Sequence, residues 1–148
     1  MESLSVSSPV GNLVLDESGG ALVAIRWAEG DMGNGTPLLA EVARQLDAYF
    51  AGKLSRFDLP LRPAGSDFER RVWTAMLKIP YGETACYGDL ATAIDSAPRA
   101  VGRACGKNPI PIVIPCHRVL GKTGLGGYSG SGGLKTKETL LALEGALG

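Results

Sequence analysis

The chain of 148 residues is poor in histidine and cysteine and has no long apolar run. It contains one histidine, His117, and three widely spaced cysteines at Cys86, Cys105 and Cys116. An odd cysteine number argues against a disulfide framework, and a single histidine without a Cys-x-x-Cys pair argues against protein-bound zinc. No stretch approaches the roughly 18 apolar residues of a membrane span, and the N-terminus lacks the layout of a signal peptide. We therefore expect a cytoplasmic protein that does not associate with membranes.

Acidic side chains are missing from one long region, although the net charge of the chain is zero. Residues 1–60 hold four basic and eight acidic side chains, whereas residues 61–148 hold eleven basic and seven acidic ones. Such an acid-free basic region suggests a polyanionic partner, although a chance fluctuation in a glycine-rich segment would look the same. Between residues 96 and 137, which lack Asp and Glu, the basic residues are Arg99, Arg103, Lys107, Arg118, Lys122, Lys135 and Lys137.

The segment 108–119 is an apolar run bracketed by prolines that leads into Cys116 and His117. Proline fixes φ and lacks a backbone donor, which excludes a helix interior or a central strand. We expect a stiff, extended, mostly buried segment that places Cys116 at a defined position. Neighbouring side chains on an extended chain point to opposite sides, so a thiol–imidazole contact requires a turn or a bridging water. A histidine base would generate the thiolate, which is the nucleophilic form of cysteine.

The first part of the chain is typical of a small α/β lobe. A helix with apolar residues at helical spacing begins at Pro37 and ends at Gly52,. We expect a small antiparallel sheet packed on this helix, forming a support domain at residues 1–62 without catalytic residues. Strands are predicted at residues 4–8, 12–15, 22–27 and 56–61,.

The second part, residues 63–148, is predicted to be a mainly α-helical, winged-helix-like domain. Ser66 and Glu69 match a capping box at the start of its first helix,. Thr84 is predicted to cap the next helix, and the two short helices that follow one another form a plausible helix-turn-helix. These two helices are expected at residues 84–94 and 96–107.

One face of the third helix combines positive charge with glycine. Arg99, Arg103 and Lys107 are spaced by four residues and share a side with Gly102 and Gly106,. Each glycine in a helix interior costs about 1 kcal/mol, a cost that close approach of another backbone would justify. The pattern predicts contact with phosphates, and a solvated basic helix with incidental glycines is the alternative.

A last helix is expected at residues 134–147, with Glu144 on its apolar side. A buried carboxylate must be paired, because its desolvation is otherwise costly. His117 is the available partner, and this contact would fix the tautomer of its ring and raise its basicity. The alternative is a glutamate that extends to solvent from the end of the helix. The inward stripe of this helix consists of Leu140, Leu141 and Leu147.

The hexapeptide IPCHRV at residues 114–119 resembles the active-site signature of the O6-alkylguanine-DNA alkyltransferases, the methylated-DNA–protein-cysteine methyltransferase family. The similarity covers most of residues 60–148 in the family's order, whereas the first lobe is similar only in its layout. Further matching motifs are VW at 72–73, IPYGET at 79–84, YG at 87–88, RAVG at 99–102, NP at 108–109, YSG at 128–130 and EG at 144–145.

This resemblance implies DNA repair by irreversible alkyl transfer from guanine O6 to Cys116. His117 would deprotonate the thiol through a water and would be oriented by Glu144. Asn108 would brace the turn, and Tyr87 would donate a proton towards guanine N3, so that the base leaves neutral. The thioether is not regenerated, so each molecule would act once and without a cofactor.

The resemblance also implies how substrate is held. The partner would be double-stranded DNA containing alkylated guanine, bound through its minor groove by a monomer. Arg99 would enter the base stack where the damaged nucleotide has flipped out. The implied DNA-binding residues are Arg99, Ala100, Gly102, Arg103 and Lys107, and the implied guanine and alkyl pocket consists of Val119, Tyr128, Ser129, Pro111 and Cys105.

Three other functional classes have to be weighed against alkyl transfer. Non-catalytic damage sensors resemble this fold but replace the acceptor cysteine, and Cys116 is present here. A helix-turn-helix regulator with a structural cysteine would not react with alkylated guanine. A cysteine hydrolase would need an oxyanion donor, and none is identifiable from the sequence.

Overall fold

The computed structural model describes residues 2–29, 33, 35–121, 124 and 133–146. Its first lobe contains an antiparallel sheet in the order β1-β2-β3. Leu13 and Leu15 of the central strand are fully buried and belong to one core cluster with Leu39 and Val42 of the following helix. The strands are β1 (Glu2–Val6), β2 (Leu13–Ser18) and β3 (Ala21–Trp27).

Helix α1 (Pro37–Phe50) covers this sheet, as the apolar spacing predicted. Its start is fixed by Thr36, whose hydroxyl accepts the backbone N–H of Leu39 at 3.1 Å,. The predicted strand at 56–61 is wrong, because this segment makes only one isolated bridge, between Leu22 and Leu61. Pro60 within it has no N–H to donate to a sheet.

The second lobe begins with the capping box that the sequence predicted, at the start of helix α2 (Asp67–Met76). The prediction that Thr84 caps the next helix is wrong. The two residues that follow Thr84 form strand β4 (Ala85–Cys86), which pairs in parallel with β5 (Val119–Leu120). Because their backbone groups are committed to this pairing, the helix starts later. The remaining helices are α3 (Tyr87–Ala93), α4 (Pro98–Gly106) and α5 (Leu134–Leu143).

The two lobes share one hydrophobic core and are joined by backbone contacts. Ile25 of β3 donates its N–H to the carbonyl of Pro109 at 2.9 Å, which ties the sheet to the segment before the cysteine. Leu140 and Leu141 of α5 are fully buried as expected, whereas Leu147 lies outside the described residues. Among the described residues, no helix has both the length and the apolar character needed to cross a bilayer.

The proline-bracketed segment is buried as predicted but is not extended. Ile114 donates its N–H to the carbonyl of Ile110 at 2.9 Å, which closes a turn. Ile112 within it has a φ of 76°, a conformation that is rare for a β-branched residue. The chain then enters a single 3-10 turn, Cys116–Arg118. Cys116 is therefore held by consecutive turns rather than by a straight strand.

Candidate active site

Cys116 is buried, with 6% of its surface exposed, at the start of the 3-10 turn. Its N–H donates to the carbonyl of Ile114 at 2.8 Å. Asn108 donates to that same carbonyl at 2.8 Å through its side-chain amide and accepts the N–H of Ile110 at 3.0 Å. The Asn108 side chain thus connects both ends of the turn that precedes the cysteine.

Opposing effects act on the Cys116 thiol. Burial raises its pKa, while a hydrogen bond with Asn108 and the charge of Lys137 lower it. The net shift is upward, so the thiol form is favoured in the folded protein. Formation of the nucleophilic thiolate therefore requires a base.

His117 is the candidate for this base. Its Nε2 lies 2.7 Å from Glu144 Oε2, and both side chains are fully buried, so the predicted contact between them is present. Burial lowers the pKa of His117 and outweighs the opposing effect of Glu144. Because a carboxylate can only accept, the neutral ring carries its proton on Nε2. Its Nδ1 is buried, has no hydrogen-bond partner within the described part of the chain and is free to accept a proton.

The Glu144 carboxylate accepts hydrogen bonds from two further side chains that sequence reasoning missed. Arg118 donates to Oε1 at 2.8 Å and to Oε2 at 3.0 Å, and its third donor meets the carbonyl of Ile79 at 2.7 Å. The Tyr49 hydroxyl donates to Oε2 at 2.5 Å. Burial alone would raise the pKa of Glu144, but the bonds from His117 and Arg118 outweigh it and hold this pKa at about 2.

Two members of the basic region are inside the protein rather than on its surface. Arg118 is 7% exposed, and Lys137 is fully buried with its Nζ 2.6 Å from the carbonyl of Val119. Burial lowers the pKa of Lys137, and the Cys116 and Cys105 thiols raise it. The interpretation of the whole region as a surface for a polyanion was therefore wrong for these two residues. In the sequence, a buried arginine or lysine looks the same as an exposed one.

The predicted pocket residues within the described chain are all buried. Pro111, Cys105 and Val119 are buried, and Cys105 and Val119 belong to the same core cluster as Cys116. Burial, with a smaller effect from Cys116, raises the pKa of Cys105 to about 12. Two further predicted pocket residues, Tyr128 and Ser129, lie outside the described residues.

The predicted DNA-binding residues lie on α4, with Lys107 at the C-cap that follows its last residue. Three of them are exposed cations, Arg99, Arg103 and Lys107, whereas Ala100 and Gly102 are half-buried. Lys107 also lies 3.5 Å from a carboxylate oxygen of Glu69.

The glycines of this helix were predicted to permit close approach of another backbone. A Cβ built on Gly102 would make only an ordinary contact, 4.0 Å from Cε1 of the half-buried Tyr87, and one on Gly106 would meet nothing within 4 Å. Packing within the described residues therefore does not explain either glycine.

Comparisons with known proteins show the family of this chain. The DNA-binding domain profile of 6-O-methylguanine DNA methyltransferase matches residues 67–146, and the ribonuclease-like domain profile of the same family matches residues 4–63. A methylated-DNA–protein-cysteine methyltransferase of Mycolicibacterium paratuberculosis is 46% identical over 159 residues, covering 97% of this chain and 92% of the relative. A protein of the same name from Methanosarcina barkeri is 45% identical and covers 94% of each chain.

Solved structures give the same result. The crystal structure of Mycobacterium tuberculosis OGT in complex with DNA superposes with a TM-score of 0.87 at 43% identity, covering 99% of this chain and 94% of that one. An O6-methylguanine DNA methyltransferase from Methanococcus jannaschii superposes with a TM-score of 0.71 at 28% identity, covering 98% and 94%. The fold is thus an α/β lobe followed by a mainly helical lobe, and the chain belongs to the 6-O-methylguanine DNA methyltransferase family.

Proposed function

We propose that this protein repairs DNA by transferring the alkyl group of O6-alkylguanine directly and irreversibly to Cys116. The observation that carries the proposal is the buried Cys116 next to His117, whose Nε2 is held by Glu144 and whose Nδ1 is unpartnered within the described chain. This arrangement supplies a base without exposing the nucleophile to bulk solvent. Relatives that are named methylated-DNA–protein-cysteine methyltransferases support the same reaction.

The reaction is a single in-line displacement. His117 Nδ1 takes the proton of the Cys116 thiol through a bridging water, and the resulting thiolate attacks the alkyl carbon. The carbon–oxygen bond breaks, its electron pair returns to guanine, and Tyr87 donates a proton towards N3. Asn108 holds the turn that aims the sulfur. The thioether product is not reversed, so the transfer is stoichiometric and uses no cofactor.

Double-stranded DNA containing the alkylated guanine is the partner, and α4 is the element that meets it. Its exposed face places the side chains of Arg99, Arg103 and Lys107 on one side, where they neutralise phosphates. Ala100 and Gly102 allow the helix to approach the minor groove closely, and Arg99 fills the gap left by the flipped nucleotide. The structure of Mycobacterium tuberculosis OGT in complex with DNA supports DNA as the partner.

Substrate recognition and support are divided along the chain. Residues 63–148 form the DNA-binding and acceptor domain, and residues 1–62 form the supporting α/β domain of a monomer. Pro111, Cys105 and Val119 line the pocket together with two residues outside the described chain, Tyr128 and Ser129.

The test is mass spectrometry of the intact protein and its peptides after incubation with a duplex containing O6-methylguanine. We expect a gain of one methyl group on Cys116, saturating at one per protein. Cys116→Ala should show no gain, whereas Cys86→Ala should react normally, because Cys86 is a free, half-buried cysteine on β4. Tight binding to the lesion without methyl transfer would contradict the proposal and indicate a damage sensor.

A further inference from the structure

One side chain of the first lobe reaches the centre of the candidate active site. Tyr49 lies in α1, is fully buried, and donates its hydroxyl to Glu144 Oε2 at 2.5 Å across 95 positions of the chain. Its ring is fixed by aromatic neighbours, with centroids 5.3 Å from Phe50, 5.3 Å from Phe57 and 6.1 Å from Tyr81. The hydroxyl therefore has a defined position.

Burial raises the pKa of Tyr49, and the adjacent charge of Glu144 raises it further. The hydroxyl consequently stays protonated at any physiological pH and acts as a permanent donor to the carboxylate. Since Tyr49 remains neutral, it changes the electron density on Glu144 without adding a charge to the site.

The oxygen that Tyr49 contacts is also the oxygen that holds His117. Glu144 Oε2 accepts a hydrogen bond from Tyr49 of α1. It also accepts hydrogen bonds from His117 Nε2 and from Arg118, which both lie in the 3-10 turn. Arg118 balances the carboxylate charge, and Lys137 of α5 acts on His117 by repulsion. Each additional donor on Oε2 leaves less negative potential for the imidazole. The attraction between Glu144 and a protonated His117 is therefore weaker with Tyr49 than without it.

We propose that Tyr49 is a positioning residue for alkyl transfer, which holds the Glu144 carboxylate and keeps His117 neutral so that Nδ1 is available as the base. This inference rests on the proposed role of Cys116 and His117. Without α1, the Glu144 carboxylate would lose one of the groups that donate a hydrogen bond to it. The inference therefore gives the first lobe a direct part in the chemistry.

The test uses the fact that His117 is the only histidine of the chain. Nitrogen-15 NMR of the free, histidine-labelled protein follows its protonation and tautomer without any DNA. We expect Tyr49→Phe to raise the pKa of His117, because Glu144 then attracts the imidazolium more strongly. Tyr81→Phe is the matched control, since its hydroxyl donates to the carbonyl of Leu143 at 3.3 Å and not to Glu144.

The rate of methyl transfer gives the second measurement. Below the titration midpoint, the Tyr49→Phe rate should fall by up to about tenfold, because one pKa unit changes the neutral fraction of His117 tenfold. At high pH the two rates should agree within about threefold, since His117 is neutral in both proteins. A purely structural role would instead lower the rate equally at every pH, together with the melting temperature.

Replacement of Tyr49 by 3-fluorotyrosine provides a variant that retains the shape of the ring. Its more acidic hydroxyl is a stronger donor, so the pKa of His117 should shift downward, opposite to Tyr49→Phe. Two results would overturn the proposal. One is the same His117 titration in the parent protein, Tyr49→Phe and the 3-fluorotyrosine variant; the other is a His117 that stays neutral in all three until they unfold in acid. A shifted titration in a protein that does not transfer methyl groups would instead support the Tyr49 contact and refute the proposed function.

Discussion

Each lobe contains an arginine paired with a buried carboxylate, and the two pairs differ in how far the arginine is exposed. In the first lobe, Arg26 pairs with Asp16 at 2.7 Å; the Arg26 side chain is 46% exposed, and the Asp16 side chain is 5% exposed. In the second lobe, Arg118 pairs with Glu144 at 2.8 Å, with side-chain exposures of 8% and 0%. Solvent partly screens a pair whose cation is half exposed, so this pair adds less stability. A pair that is buried on both sides costs desolvation and is strongly destabilising once one partner is removed. The first pair links neighbouring strands of the sheet, and the second shares Glu144 with His117, the proposed base.

The same contrast extends to the other buried polar groups. The first lobe buries Gln45, whose side-chain amide donates to the backbone carbonyl of Asp58 and accepts the backbone N–H of the same residue. The second lobe buries His117, which lies 2.7 Å from Glu144, and Lys137, whose charge lowers the pKa of Cys116. Buried polar groups thus satisfy backbone hydrogen bonds in the first lobe and lie in the candidate active site in the second.

The largest expected difference between the lobes comes from removing each arginine. Arg118→Met leaves the Glu144 charge buried with one fewer cation, and we expect a loss of about 3–5 kcal/mol in the free energy of unfolding. Arg26→Met should cost less, about 1–2 kcal/mol, because the Arg26 side chain is itself half exposed and the buried Asp16 keeps its hydrogen bond from Ser3 at 2.6 Å,. Urea denaturation of both variants measures the two values. Equal losses would refute the contrast between the two pairs.

A smaller effect is expected from Lys137, and it should appear in reactivity rather than stability. The charge of Lys137 lowers the pKa of Cys116, so Lys137→Met should slow methyl transfer at neutral pH by about tenfold, equivalent to about 1.4 kcal/mol. The melting temperature should be unchanged or higher, because an apolar side chain replaces a buried ammonium.

Lys135→Met is the control for this prediction, since Lys135 lies on the same helix but is exposed. Single-turnover kinetics on a methylated duplex compare the variants. Equal slowing of Lys135→Met and Lys137→Met would indicate a general effect of charge on DNA binding, not an effect on the thiol.

The smallest effect is a change in the pH dependence of stability. Burial lowers the pKa of His117 from its usual value of 6.5, so below that pH the unfolded chain binds a proton that the folded protein does not. The stability that neutral His117 contributes to the folded protein is therefore complete above pH 6.5. It is lost as the pH falls towards the lowered pKa that His117 has in the folded protein. His117→Gln should flatten the decline in the free energy of unfolding just below pH 6.5.

Urea titrations at several pH values compare this variant with the parent protein. The first lobe should not change the free energy of unfolding just below pH 6.5. The pKa of Asp16 is lowered from its usual 3.8, so Asp16 affects stability only in stronger acid. Parallel curves for His117→Gln and the parent would show that His117 does not titrate differently on folding.

The sequence by itself determined the features that depend on near neighbours in the chain. The capping box of Ser66 and Glu69, the start of α1 after Thr36 and the buried stripe of α5 follow from local spacing and local hydrogen bonds. The IPCHRV motif likewise identified Cys116 and its family, and an unpaired glutamate on an apolar face was enough to predict the partner of His117.

Tertiary structure decided what depends on distant segments. Pairing with β5 delayed the start of α3 to Tyr87, because it used the backbone of Ala85 and Cys86. Arg118 and Lys137 look like surface cations in the sequence, since charge alone does not reveal burial. Tyr49 reaches Glu144 only because the packing of α1 against the second lobe brings together side chains 95 residues apart. No local pattern encodes such a contact, because it depends on the relative placement of whole elements in the shared core.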